Sequence, residues 1–217
     1  MKIVVIASQK GGSGKTTLAA HLAVAAEQAG KGPVVLIDKD PQQTLSTWWN
    51  QRQAEAPKLA TVALRDLPTQ VDALASNGFQ YCTIDTPPAL TEQNRQVLKL
   101  ADLVLIPARP SANDLWALGA TLHLVQQSEA AFVFVLTQAK PKKPPDRAGI
   151  AALSEHGQVL QSIIHDRVSY ADCMTDGRTA LEINPSCPAA IETVELWKNA
   201  LKSELAKLSE LAKREGA

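Results

Sequence analysis

The sequence predicts an α/β protein with a mostly parallel, doubly wound sheet flanked by helices. Three observations predict it. Short apolar runs rich in Val and Ile alternate along the chain with longer stretches of helical spacing. The 45% hydrophobic content comes from Ala, Val, Leu and Ile, with only 4% aromatic residues, which suits buried parallel strands better than an aromatic-rich sandwich. At 217 residues the chain can bury one substantial core, and neither an internal repeat nor a linker divides it, so residues 1–217 are expected to form a single domain.

Residues 2–7 are a short β-rich run and predict the first strand. After a glycine-rich turn, residues 17–29 carry Ala, Leu and Val continuously up to Gly30, as in a helix closed by a C-terminal glycine. Residues 34–37 predict the second strand, which ends in Asp38-Lys39-Asp40-Pro41, and residues 46–55, with Trp48 and Trp49, read as helix. A strand is expected over 61–64 and a helix over 67–76; Asn77-Gly78 then turns the chain into a strand over 81–84. That strand also ends on a carboxylate, Asp85, ahead of Thr86-Pro87-Pro88. Strands over 103–106 and 132–136 and helices over 92–101 and 112–127 complete an alternation that right-handed crossovers would wind into a parallel sheet. The Lys- and Pro-rich residues 140–147 can neither continue a helix nor lie inside a sheet, so an exposed loop is expected there. A strand over 159–164 and a long helix over 189–213 finish the chain.

Lys plus Arg and Asp plus Glu each number 22, so no overall field advertises nucleic acid, a membrane or an acidic substrate. Any DNA binding must come from a local patch. Cys82, Cys173 and Cys187 are odd in number and far apart, which argues against a disulfide framework and CxxC metal sites and fits a reducing cytosol. The histidines, His21, His123, His156 and His165, form no i, i+4 pair that would suggest zinc. Residues 3–7 are too few for a signal-peptide core and residues 130–136 too few for a membrane span, so a cytoplasmic protein is expected.

The strongest signal is Lys10-Gly11-Gly12-Ser13-Gly14-Lys15-Thr16-Thr17, between the first strand and the first helix. Glycines let backbone N–H groups converge on phosphate oxygens, and the helix N-terminus adds a positive dipole. Lys15 can reach the terminal phosphates and the Thr16 hydroxyl can ligate a divalent cation. Asp38 and Asp40, two residues apart at a strand end, point to roughly the same side and would repel unless a cation or water lay between them. The loop departs from the simple GxxxxGKT form: Gln9 stands at its first position and Lys10 precedes the double glycine.

This deviant loop, followed in order by Asp38-Lys39-Asp40-Pro41-Gln42 and Ile84-Asp85-Thr86-Pro87-Pro88, resembles the ParA/MinD family of Walker-type ATPases. Leu105-Ile106-Pro107 and, more loosely, residues 167–182 extend the resemblance over most of the chain. The short length resembles ParF-type partition proteins that lack an N-terminal DNA-binding domain. The resemblance implies a P-loop NTPase fold with a deviant Walker A loop, and an ATPase that uses ATP and Mg²⁺. Gly11, Gly12, Ser13, Gly14, Lys15, Thr16 and Thr17 would bind the nucleotide, with Lys15 on the β and γ phosphates and Thr16 on Mg²⁺. Asp85 would be the Walker B acid, and it and Asp38 would reach the metal through water. Asp40 would position the attacking water. Lys10 would be the signature lysine, crossing the interface of an ATP-sandwich dimer to the partner's nucleotide.

The partners so implied are a second copy of the chain, nonspecific DNA at the nucleoid, and a small adaptor protein that stimulates hydrolysis. Lys140, Lys142, Lys143 and Arg147 are the densest basic stretch, readable equally as a phosphate-contacting patch or a solvated loop; Arg167, Arg178 and Lys198 are further candidates. Trp48, Trp49 and Trp116 are expected to pack. In the last helix, Trp197, Leu201, Leu205, Leu208 and Leu211 form an apolar stripe, with Lys198, Lys202, Glu204, Lys207 and Glu210 between them. That mixed polar face favours packing on the core over a MinD-like membrane anchor. A metabolic ATPase related to nitrogenase iron protein or dethiobiotin synthetase is the remaining alternative, and the sequence offers no cluster-ligand pair for it.

Overall fold

The computed structural model describes residues 1–88, 95–109, 112–142 and 147–215, with side chains left undescribed for 112–117 and 203–215. Seven strands, β1 (Lys2–Ile6), β2 (Val34–Asp38), β3 (Lys58–Ala60), β4 (Tyr81–Asp85), β5 (Leu103–Ala108), β6 (Phe132–Ala139) and β7 (Val159–His165), pair in parallel in the order β3-β2-β4-β1-β5-β6-β7. The chain runs outward from β1 to β2 and β3, returns to insert β4 between β2 and β1, and then runs outward on the other side through β5, β6 and β7. This reversal puts a crevice at the carboxyl end of β1, where ligands of open α/β sheets bind. Asp85 ends β4 in register with Ile6 of β1 and Asp38 of β2, so the two acidic strand ends lie side by side next to that crevice.

The sheet is covered on both faces. Val4 and Ile6 join one apolar cluster with Leu18, Leu22, Trp48, Tyr81 and Trp197, whereas Ile3 and Val5 join another with Leu67, Val71, Val97, Leu122 and Leu153. That division follows from the two-residue period of a strand, and it explains why the strands read as nearly unbroken apolar runs. Helix α1 (Lys15–Gln28) is buried along most of its length; its many alanines let it lie close to the sheet. Helices α3 (Leu67–Ser76), α4 (Arg95–Lys99) and α5 (Ala112–Gln127) fall where helices are expected; residues 92–94 of the expected fourth helix lie outside the described residues.

Several boundaries differ from expectation. The strand expected over 61–64 lies at Lys58–Ala60, pairing on one side only, with Val35–Ile37 of β2. The apolar run that suggested it instead leads, through Val62, into a 3₁₀ turn at Leu64–Asp66. Helix α2 (Thr44–Asn50) starts and stops earlier than the expected 46–55 because its first turn is capped from a distance: Asp38 accepts the Ser46 N–H. Three short helices were not expected: α6 (Arg147–Ser154), α7 (Val168–Cys173) and α8 (Ala180–Ile183). Helix α8 is started by a capping box between Thr179 and Glu182. Helix α9 (Pro188–Glu215) closes the chain, with Trp197 buried edge-on against Tyr81 at 4.8 Å and Leu201 half-buried. The expected stripe positions Leu205, Leu208 and Leu211, and the side chain of Trp116, lie outside the described residues. Among the described residues no helix is long and apolar enough to cross a membrane.

Candidate active site

The glycine-rich loop leaves β1 and enters α1 through two left-handed residues, Gly12 (φ 65°) and Gly14 (φ 91°), conformations that a side chain would oppose. Lys15 is buried, and its ammonium donates back to the Lys10 carbonyl at 3.3 Å. Burial lowers its pKa, while the charges of Asp85 and Asp40 work to raise it. Thr16 Oγ1 donates to Asp85 Oδ2 at 2.6 Å. Asp85 has no solvent exposure, and burial pushes its pKa up to about 7; Asp38 and Asp40 add to the rise, and the Thr16 hydrogen bond and Lys15 oppose it.

Asp85 Oδ1 and Ser13 Oγ are buried with no hydrogen-bond partner among the described residues. A buried carboxylate oxygen left unpaired beside a threonine hydroxyl fits a hard divalent cation and its water shell. Asp38 lies next to Asp85 across the strand pair. Its own oxygens are already engaged: Oδ1 accepts the Asp40 N–H at 3.0 Å, and Oδ2 accepts the Ser46 N–H at 2.8 Å and Ser46 Oγ at 2.9 Å. Asp38 therefore shapes the loop that carries Asp40. Asp40 accepts the Gln42 N–H at 3.0 Å and lines a cleft of about 320 Å³ with residues 11–17, Gln42, Thr44 and Pro88. Lys39 turns away to the Val62 carbonyl.

A second cleft of about 390 Å³ shares Gly14, Thr16, Thr17 and Thr44 with the first, and extends past Thr137 and Gln138 to residues 164–167, Tyr170 and Met174. The first cleft is thus the more polar of the two, and the adjoining one the more apolar. Sequence reasoning missed the residues that clamp the loop from behind. Arg109 Nη2 and Gln138 Nε2 each donate to the Gly12 carbonyl at 2.6 Å, and Thr137 Oγ1 donates to the Ser13 carbonyl at 3.1 Å. Their only signal was location, at the carboxyl ends of the strands beside β1.

Residues 4–180 match the family of the CobQ/CobB/MinD/ParA nucleotide binding domain. The chain belongs to that family. It is a ParA/MinD-type ATPase, similar to the ParA protein of Rhizobium radiobacter, with 30% identity over 94% of this chain and 98% of that one. The carboxysome distribution maintenance protein A of Halothiobacillus neapolitanus is 27% identical, over 88% of this chain and 92% of that one. Among solved structures, an ATP complex of a Cyanothece McdA variant superposes with a TM-score of 0.70 at 25% identity, covering 93% of this chain and 96% of that one.

The basic candidates of this ParA/MinD ATPase separate by environment. Arg167 is drawn into a half-buried cluster: its Nη2 lies 2.6 Å and its Nε 2.8 Å from Glu192 Oε1, which also meets His165 Nδ1 at 2.8 Å. It ties β7 and α7 to α9, with Nε and Nη2 both committed to Glu192. Arg178 is exposed and paired with Asp176. Lys140, Lys142, Arg147 and Lys198 are exposed, and Lys143 lies outside the described residues. Trp48 and Trp49 pack as expected, their indole N–H groups donating to the Arg178 and Pro57 carbonyls.

Proposed function

We propose that this positioning ATPase works as an ATP-driven dimer that binds DNA without reading sequence and is reset by hydrolysis. The observation that carries the proposal is the meeting of buried Lys15 and Asp85 with half-buried Thr16 beside the ends of the central strands, where Asp85 Oδ1 is buried without a hydrogen-bond partner among the described residues. In this reading the loop amides and Lys15 hold the phosphates of ATP, with the adenine in the adjoining cleft past Gln138. Thr16, and Asp85 and Asp38 through water, hold Mg²⁺, which when bound neutralises charge on the β and γ phosphates. Asp40 orients the attacking water toward the γ phosphate. Lys10 of a second copy reaches across the interface to neutralise charge developing on the transferred group.

The DNA-facing residues in this reading are Lys140, Lys142, Lys143, Arg147 and Lys198. Such a patch is doubled on dimerisation, which makes nucleic-acid binding depend on ATP and weaken steeply with salt. Hydrolysis, stimulated by a small adaptor protein, dismantles the dimer and releases it from the nucleoid within the cytoplasm. The cargo is a plasmid, a chromosome region or a protein complex; the relatives' names include both a ParA and a carboxysome distribution protein.

The test measures light scattering and co-pelleting with a random-sequence duplex or with anionic liposomes, each with Mg-ATP and with Mg-ADP. Dimerisation and DNA pelleting with ATP alone, both lost in Lys10→Ala, support the proposal. Pelleting with liposomes and not with DNA would replace it with a MinD-like membrane role.

A further inference from the structure

We propose that Arg109 and Gln138 are positioning residues for the phosphate loop: by holding the Gly12 carbonyl back, they aim the Ser13 N–H into the phosphate cleft. The inference rests on the nucleotide-binding reading and assigns two residues to it that no loop motif contains. The argument begins with peptide geometry. A trans peptide is planar, with its C=O and N–H pointing in opposite directions, so whatever holds the carbonyl of one residue also fixes where the next N–H points. The Gly12 carbonyl is gripped by two donors at 2.6 Å, from the ends of two different strands. Directly after it, Thr137 holds the Ser13 carbonyl at 3.1 Å, which fixes the Gly14 N–H in the same manner. Two consecutive peptides of the loop are therefore anchored by their carbonyls from the β5 and β6 side. Their N–H groups are left for the cleft that residues 11–17 line.

Two further observations separate this arrangement from incidental packing. Gln138 is a non-glycine residue in the left-handed region (φ 54°), a conformation that costs free energy in an ordinary strand end. Because the Gly12 oxygen can only accept, it is the Gln138 amide nitrogen that meets it. The second observation is charge. A guanidinium bound to a carbonyl polarises that peptide, so its N–H becomes a stronger donor to an anion on the other side. Arg109 thereby acts on the phosphates through the Gly12–Ser13 peptide without lining the cleft itself, as its absence from the lining residues of both clefts indicates.

The experiment titrates wild type, Arg109→Ala and Arg109→Lys with a fluorescent ATP analogue, and then displaces the analogue with Mg-tripolyphosphate, which has no base or ribose. Loss of the clasp should weaken both ligands in parallel by about tenfold or more, the scale of one charge-assisted hydrogen bond. Arg109→Lys, which keeps a cationic donor, should recover most of the loss. In steady-state hydrolysis the Ala variant should raise KM and leave kcat little changed, since the cradle binds ground and transition states alike. Should Arg109→Ala fail to fold, Gln138→Ala carries the same comparison on tripolyphosphate. Tripolyphosphate affinity within twofold of wild type overturns the inference, as does a Lys variant as weak as Ala. Failure of the wild type to bind any nucleotide would instead overturn the nucleotide-binding reading beneath it.

Discussion

His21 makes a contribution to the acid stability of this protein whose sign and rough size follow from its surroundings. It lies at mid-helix in α1, fully buried, with Nδ1 2.8 Å from the Thr17 carbonyl and Nε2 3.2 Å from the Ala180 amide. The carbonyl accepts and the amide donates, so Nδ1 carries the proton and Nε2 must stay bare. Protonating Nε2 would turn its lone pair into an N–H facing the Ala180 N–H. Burial accordingly pushes the pKa down to about 4, against the opposing pull of the Thr17 carbonyl and the Glu182 charge. Above pH 6.5 the ring is neutral in both the folded and the unfolded chain, and it adds no pH dependence. Between pH 6.5 and 4 the unfolded chain takes up a proton that the folded chain refuses, so stability falls as pH falls. The loss is roughly 1 kcal/mol by pH 5.5 and about 3 kcal/mol by pH 4.5, levelling off below the folded value.

The assay is urea unfolding of nucleotide-free wild type and His21→Gln at pH 7.5, 6.5, 5.5 and 4.5. The Gln amide retains an uncharged acceptor toward Ala180 and does not titrate. The variant should be less stable at pH 7.5, with the gap closing by about 3 kcal/mol on the way to pH 4.5. Other titrating groups are common to both proteins and cancel in the difference; among them is Asp85, whose raised pKa works in the opposite sense. A stability gap independent of pH over that range would refute the assigned tautomer and the buried neutral ring.

Two further perturbations test other parts of the molecule. Asp40→Ala should keep ATP bound while slowing hydrolysis about 100-fold or more, the scale of losing a group that orients or deprotonates the attacking water; single-turnover hydrolysis beside gel-filtration mass in Mg-ATP reads both, with a persistent dimer expected. Gly177→Ala should destabilise strongly, because a Cβ there would stand 2.4 Å from the Arg52 nitrogen and 2.5 Å from the Gln51 carbonyl carbon in a left-handed residue (φ 78°). A loss of roughly 3 kcal/mol is expected, against about 1 kcal/mol for Gly78→Ala, where the backbone is also left-handed but the space is open; thermal unfolding midpoints compare them.

What the sequence made legible was local. The loop from Lys10 to Thr17 and the strand-terminal Asp38 and Asp85 announce themselves by spacing, and the sheet brings the two aspartates into register as adjacent strand ends. What stayed hidden depended on distance along the chain. Arg109 and Gln138 bond a backbone carbonyl 97 and 126 residues away, and no residue pattern encodes that contact. The start of α2 was misjudged for the same reason, since its cap is Asp38, on the preceding strand, rather than a residue next to the helix. The edge strand was displaced because Thr61-Val62-Ala63-Leu64 is the more apolar run, whereas pairing with β2 selects Lys58–Ala60. Thr179 and Glu182 did carry a readable capping box, but the helix it starts has only four residues, Glu182 among them, too few for a periodic signal.

The braces around the site tie it to segments far along the chain. Asp38 holds Ser46 at the start of α2, and at the other end of that helix Arg52 is almost fully buried, its guanidinium 4.7 Å over the Trp48 ring. From there Arg52 donates to the Gly177 carbonyl at 2.6 Å and to both oxygens of Glu182, the residue that caps α8. Helix α8 is also held by α1, through the His21 bond to Ala180. Arg52, at the end of α2, and His21 of α1 therefore both bond to one segment, residues 177–182. A largely buried arginine–carboxylate pair and a glycine pressed against the Gln51–Arg52 backbone leave that segment little slack. That segment carries the chain from the end of α7 into α8 and on toward α9, the helix that bears the exposed Lys198, so the packing that holds α1 and the end of α2 also fixes the approach to the last helix.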